Sequence, residues 1–186
     1  MAKMIPSSEQ PKYPVIVEGE GPVPSPFMVI GEAPGRTEIA DGRPFVGKSG
    51  ELLRQTLKEY DYYGHNPELW CYITNAFKGD VGEGNRNPTK EELDDHQGIL
   101  MAEIESVNPS GILVLGSVAV RRFLPNTARM ADVVGRRMVV EGQQLYPCYH
   151  PAYILRSWNK LEDFRFAVAR FVLTTEVLSK YEHVLD

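Results

Sequence analysis

The chain has 186 residues, 42% of them hydrophobic, which suits one domain with an ordinary buried core. No apolar run approaches the roughly 20 residues that a membrane helix needs, and residues 1–10 lack the apolar stretch of a secretory leader, so a cytoplasmic protein with no membrane partner is expected. A net charge of −5 argues against indiscriminate coating of nucleic acid, leaving Arg121-Arg122, Arg136-Arg137 and Arg156 to be judged by their places.

Residues 1–26 carry Pro6, Pro11, Pro14, Pro22, Pro24 and Pro26, a density that forbids helix or central strand and predicts an extended arm packed on a domain over residues 27–186. Phe27 to Ile30 reads as a buried strand. A long Gly/Pro loop follows, then a helix over about Ser49 to Tyr60 with Leu52, Leu53 and Leu57 on one face. Cys71 to Thr74 is a second strand. Thr89 and Glu92 have capping-box spacing, so a helix is expected from there to Val107, ended by Asn108-Pro109. Gly111 to Leu115 is a third strand, and Ser117 reads as the N-cap of a helix through Phe123. Met138 to Val140 and Leu145 to Cys148 suggest a hairpin around Glu141-Gly142. Leu161 to Leu185 is a long amphipathic helix with Phe164, Val168, Phe171, Val172 and Leu178 at helical spacing. Strands alternating with helices imply a single three-layer α/β/α sandwich around a short, mainly parallel, four-stranded sheet. Cys71 and Cys148, both in apolar segments, read as buried thiols rather than as a disulfide or a metal site.

Ligands of such sheets bind outside the carboxyl ends of the strands, which directs attention to four loops. Gly31-Glu-Ala-Pro-Gly35 offers backbone amides to an acceptor, although the lysine and hydroxyl of a P-loop are missing. Phe45, between Pro44 and Val46, is either a stacking plate for a flat ring or an anchor packed into the core. Asn75 ends the second strand; it either reads an edge carrying one N–H and one carbonyl, such as that of uracil, or makes a local turn bond. His150, in Tyr149-His-Pro-Ala-Tyr-Ile-Leu-Arg156, is able to donate to a developing anion or to be satisfied locally. Ile154 and Leu155, beside Tyr153 and Arg156, read as an apolar tip suited to wedging a base stack, or as the opening of the last helix.

Taken in order, GEAPG…GRPFVGKSGELL, YITNAFK…GNRNPTKEE, ILVLG and YHPAYILR resemble the motifs of the uracil-DNA glycosylase superfamily, most closely its family 4, from about Phe27 to Arg156. The resemblance implies a monofunctional N-glycosyl hydrolase that flips uracil out of DNA and initiates base excision repair. It also implies that Phe45 stacks on the base, Asn75 bonds its pyrimidine edge and His150 donates to the oxygen that gathers charge. Glu32 matches the water-positioning carboxylate, and Glu38 a second acid of the family. Gly31, Ala33 and Gly35 would hold the base and the adjacent phosphate through backbone amides, while Ser117, Pro151, Ile154, Leu155 and Arg156 would face DNA.

The chain departs from the family in two places. Family 4 carries a four-cysteine iron-sulfur cluster, whereas this chain has two cysteines and Lys78-Gly79 where Lys-Cys is usual, so no metal and no cluster are expected. Ile39 stands where an acid usually follows Glu38, with Asp41 two residues on. That departure motivates one alternative, a glycosylase for a 5-substituted or otherwise modified pyrimidine; a second, of another class, is a non-catalytic DNA-binding member of the fold. A monomer acting on DNA that contains uracil or a modified pyrimidine is expected.

Overall fold

The computed structural model describes residues 11–61 and 64–181. Pro6 of the expected arm, residues 182–185 of the expected last helix and the side chain of Leu178 lie outside the described residues. Five strands form one sheet: β1 (Phe27–Gly31), β2 (Cys71–Asn75), β3 (Gly111–Leu115), β4 (Met138–Val140) and β5 (Gln143–Cys148). Their order is β2-β1-β3-β5-β4, parallel except for β4 against β5. The expected count of four is corrected to five. The two segments of the expected hairpin each form a strand, and the turn between them takes Glu141 and Gly142 to positive φ.

The central strands are buried on both faces and split their side chains by period two. Met28, Ile30, Ile112, Val114 and Leu145 enter one core; Val29, Ile73, Leu113, Leu115 and Tyr146 enter the other. The first core is closed by α3 (Lys90–Val107), α4 (Ser117–Val120) and α5 (Met130–Val133). The second is closed by α2 (Lys48–Tyr60), α6 (Pro151–Ile154) and α7 (Leu161–Tyr181). Phe164, Ala167, Val168 and Phe171 of α7 are fully buried, and each large one contributes about 1.5–3 kcal/mol.

Helix ends follow local chemistry. Glu92 N–H donates to Thr89 Oγ1 at 3.2 Å and Thr89 N–H to Glu92 Oε2 at 2.7 Å, the reciprocal box that starts α3. Asn108, at φ 48°, ends it. The loop after β1 hides a helix that sequence reasoning missed, α1 (Arg36–Asp41), because its start is capped by its own Glu38 and it is short. The helix expected from Ser117 to Phe123 shrinks to Ser117–Val120 with Gly116, not Ser117, at the N-cap. Arg122 and Phe123 instead close tight turns on Ala119 and Val120, ahead of Pro125.

The middle of residues 11–26 lies against β2 and the segment after it, while Lys12 and Tyr13 bond Glu91 and Asp95 on α3. Val17 N–H donates to Lys78 O, and Glu20 exchanges both backbone bonds with Ile73, at 2.9 and 2.7 Å. β1 neighbours β2 on one side and β3 on the other, so a crevice opens between the ends of β1 and β3, where the connections diverge.

Candidate active site

A cavity of about 620 Å³ occupies that crevice. Its lining includes Glu32, Ala33, Gly35, Glu38, Phe45, Asn75, Ser117, His150 and Arg156, all singled out in the sequence, together with Tyr149, Tyr153 and Arg86. The loops share a backbone frame: Ala76 and Phe77 N–H donate to Gly31 and Glu32 O at 2.9 and 3.0 Å, and Gly116 N–H donates to Cys148 O at 2.9 Å.

Gly31, outside the lining itself, lies against two of these groups. A Cβ there would lie 2.3 Å from Phe45 Cζ and 2.5 Å from Asn75 Oδ1, so glycine is what allows ring and amide to meet. Asn75 is 2% exposed, and its Oδ1 has no hydrogen-bond partner among the described residues. Leaving a buried acceptor unpaired costs about 1–3 kcal/mol, which a ligand N–H in the cavity would return. The strand end that carries it is fixed from below. Lys78 Nζ donates to Asn75 O at 2.9 Å and to Thr74 Oγ1 at 2.7 Å, and pairs with Glu103 at 2.5 Å. Burial pulls the Lys78 amine below its ordinary pKa against the pull of Glu103.

Phe45 is both of the things its sequence allowed. It is 4% exposed within the second core, yet one side lines the cavity, with its ring 5.9 Å from that of His150 at a 32° tilt. Its φ of 54° is unusual for a bulky residue and costs of order 1–3 kcal/mol, so the surrounding bonds must enforce it.

His150 begins α6, and its Nδ1 accepts from Ala152 N–H at 3.1 Å. Burial, with the Arg156 charge, lowers its pKa to about 4 against the opposing field of Glu38. At neutral pH the ring is therefore uncharged, with its proton on Nε2, leaving an N–H donor available to a ligand.

The two carboxylates differ. Glu38 is spent on backbone: Oε2 accepts from Gly35 N–H at 3.1 Å, and Oε1 from Val46 and Gly47 N–H at 3.0 and 2.8 Å. That set ties the GEAPG loop to the turn after Phe45. Glu32 accepts from Val118 N–H at 3.2 Å, at the start of α4. Burial raises its pKa, and the Val118 amide and the Arg121 charge counteract this. Gly116, at φ 87°, admits it: a Cβ there would lie 2.2 Å from Glu32 Oε1 and 3.1 Å from His150 Cβ. Glu32 and His150 thus flank one glycine.

The apolar tip needs correction. Pro151 opens a helical turn that swings Ile154 inward, where it is fully buried in the second core; Leu155 is half-buried and Pro151 buried. Tyr153 and Arg156 face outward instead, Tyr153 with its ring 5.3 Å from that of Tyr149. Of the basic groupings, Arg122 is engaged by Asp94 and Gln97, while Arg156 lies at the cavity. Ile39 and Asp41 do not line this cavity. Ile39 borders a separate hollow with Arg36, Ala40, Asp80, Gly82 and Glu83, so the sequence departure there lies outside the lining of the main cavity.

A switch-point cavity with an aromatic wall, a buried amide oxygen without a partner among the described residues, a neutral imidazole donor and a shielded carboxylate is the candidate functional site of an α/β protein. The chain belongs to the Uracil DNA glycosylase superfamily, whose family profile matches residues 18–172. It is similar to the Type-4 uracil-DNA glycosylase of Thermotoga maritima, 34% identical over 144 residues that cover 76% of this chain and 72% of the relative. That of Pyrobaculum aerophilum is 32% identical, over 83% of this chain and 81% of the relative. A DNA polymerase of Bacillus phage SP01 is 28% identical over 89% of this chain, which corresponds to 17% of the polymerase.

The residues present do not fit the cluster of the type-4 branch. Two thiols cannot supply four ligands; Cys71 and Cys148 are fully buried in the second core, and burial pushes both thiols above their ordinary range. Among the described residues there is no group of three or more His, Cys, Asp or Glu able to hold a metal ion, and no helix long and apolar enough to cross a membrane.

Proposed function

We propose that the protein excises uracil from DNA by hydrolysing the N-glycosidic bond of a flipped nucleotide, as a monomer in the cytoplasm and without an iron-sulfur cluster. The observation that carries this is Asn75 Oδ1, a buried acceptor without a partner at the wall of a cavity that also holds Phe45 and His150. Uracil answers it: N3–H donates to Oδ1, and the neighbouring O4 accepts from the amide nitrogen. Phe45 covers the ring face, and the Ala33 backbone at the cavity wall holds the base; the Gly35 N–H is already taken by Glu38, and Gly31 lies outside the lining. Ser117, Leu155 and Arg156 face the DNA, whereas Pro151 is buried.

Extrusion costs a few kcal/mol, which the stacking wall offsets. As the N1–C1′ bond breaks, its electron pair passes to the base and charge gathers on O2, where His150 Nε2–H donates without surrendering its proton. Glu32 faces the electron-poor sugar carbon, orients the water that attacks C1′ and takes up the released proton. Catalysis of this kind is mainly electrostatic.

The test incubates the protein with single- and double-stranded oligonucleotides carrying uracil, thymine, 5-hydroxymethyluracil or hypoxanthine and identifies the released base by chromatography. Uracil is the expected product. Release of a modified base with uracil retained would reassign the substrate, and binding without any release would assign a non-catalytic DNA-binding protein.

A further inference from the structure

Arg54, on α2, is absent from the cavity wall, yet it spends its guanidinium on the backbone of the turn that presents Phe45. Nε donates to Phe45 O and Nη2 to Pro44 O, each at 2.8 Å. Nη1 pairs with Glu68 at 2.8 Å, and Nη2 also pairs with Glu20. Glu20 holds Arg43 as well, at 2.8 and 3.1 Å, two residues before Phe45. The same Glu20 is paired through its backbone to Ile73, two residues before Asn75 on β2.

The turn is therefore gripped from two sides. Glu38 takes the amides of Val46 and Gly47, and Arg54 takes the carbonyls of Pro44 and Phe45. A positive φ at a phenylalanine relaxes unless its neighbours are fixed, and two adjacent carbonyls caught in one planar fork fix them. Glu20 connects that fork to the strand that carries Asn75.

We infer that Arg54, anchored by Glu20, is the positioning residue that sets the Phe45 ring at a fixed place relative to Asn75, so that stacking and edge reading act on one base at once. Lysine keeps the charge opposite Glu20 and Glu68 but carries its three donors on one nitrogen of a flexible stem, without the planar fork that holds both carbonyls at fixed places. Replacement by lysine therefore separates the grip on the turn from the ion pairs.

The inference rests on the excision reading above, and the experiment separates the two. Single-turnover excision of uracil from duplex DNA is measured for wild type, Arg54→Lys, Phe45→Leu and the double variant, at a temperature where melting shows all four folded, with Glu68→Gln as a control. The expected result is at least a tenfold loss for Arg54→Lys in the wild-type background, less than a twofold further loss in the Phe45→Leu background, and a change of less than twofold for Glu68→Gln. A merely structural arginine gives the same fold-loss in both backgrounds, and that result, or no loss at all, overturns the inference. Should wild type release no uracil, the excision reading falls. Hydrogen exchange at Val46 and Gly47 then decides the Arg54 claim: faster exchange in Arg54→Lys supports it and unchanged protection overturns it.

Discussion

The cavity has two unlike walls. Residues 31–50 form one in which the backbone around Phe45 is held from both sides: Glu38 takes three amides, Arg54 two carbonyls, and Phe45 is held at positive φ between them. Residues 149–156 form the other, a single helical turn fixed at His150 by one backbone amide, with Tyr153 and Arg156 turned to solvent. The contrast teaches where precision is spent. On the proposed reading, the first wall seats a flat ring, which demands a fixed geometry, while the second meets a long polyanion that brings its own shape.

If that division is right, substitutions at groups that touch the base should dominate. Asn75→Ala should lower single-turnover excision by about 100- to 1000-fold with the melting temperature little changed, since it removes an acceptor that has no partner to lose. Near-wild-type rates would remove Asn75 from base recognition.

The two carboxylates give a sharper break. Glu38→Ala should cost stability as well as rate, because it orphans the amides of Gly35, Val46 and Gly47; about 1–3 kcal/mol per buried unpaired group is the relevant scale. Glu32→Gln should lower the rate by at least tenfold yet leave denaturant stability equal or higher, because a desolvated charge is removed. Chemical denaturation beside single-turnover rates separates them, and equal stability losses would erase the distinction.

The pH profile follows from the same groups. His150 stays neutral down to about pH 4, so the acid limb of the rate should belong to Glu32, whose pKa is raised by burial, and should shift downwards in Glu32→Gln. For stability, the folded His150 pKa lies below the unfolded value of about 6.5, so the folded state binds fewer protons between about pH 4 and 6.5. Its contribution is complete above that window and is lost as pH falls through it. A His150→Gln variant should lose that dependence in denaturation curves taken across the window. The smallest effect belongs to the outer wall: Arg156→Ala should weaken duplex binding a few-fold and reduce the salt slope by about one, with little change in excision once DNA is saturating.

Much of this was legible in the sequence where local chemistry decides. The Thr89 box, the buried runs of β1 and β3 and the Glu141-Gly142 turn announce themselves through side chains close in the chain. Asn75, His150, Phe45 and Glu32 were legible as strand-end residues, and the fold brings all of them to one cavity. Ile154 was misjudged because a tip is exposed or buried according to which way its helical turn is rolled, and that is set by packing against the second core. Arg54 was missed because its partners lie 34 residues before it, 9 and 10 residues before it and 14 after it, a set that no local pattern displays. Glu38 shows another limit: an acid in a motif reads as chemistry, and its three backbone bonds are not legible in the sequence.

The most direct test of the whole account is single-turnover excision of uracil from a labelled oligonucleotide, scored by alkaline strand cleavage, for wild type and His150→Ala at neutral pH. The account predicts complete conversion by wild type and a rate about 100- to 1000-fold lower for the variant, with DNA binding retained. No alkali-labile product from wild type at enzyme excess, or equal rates for the two proteins, would contradict it.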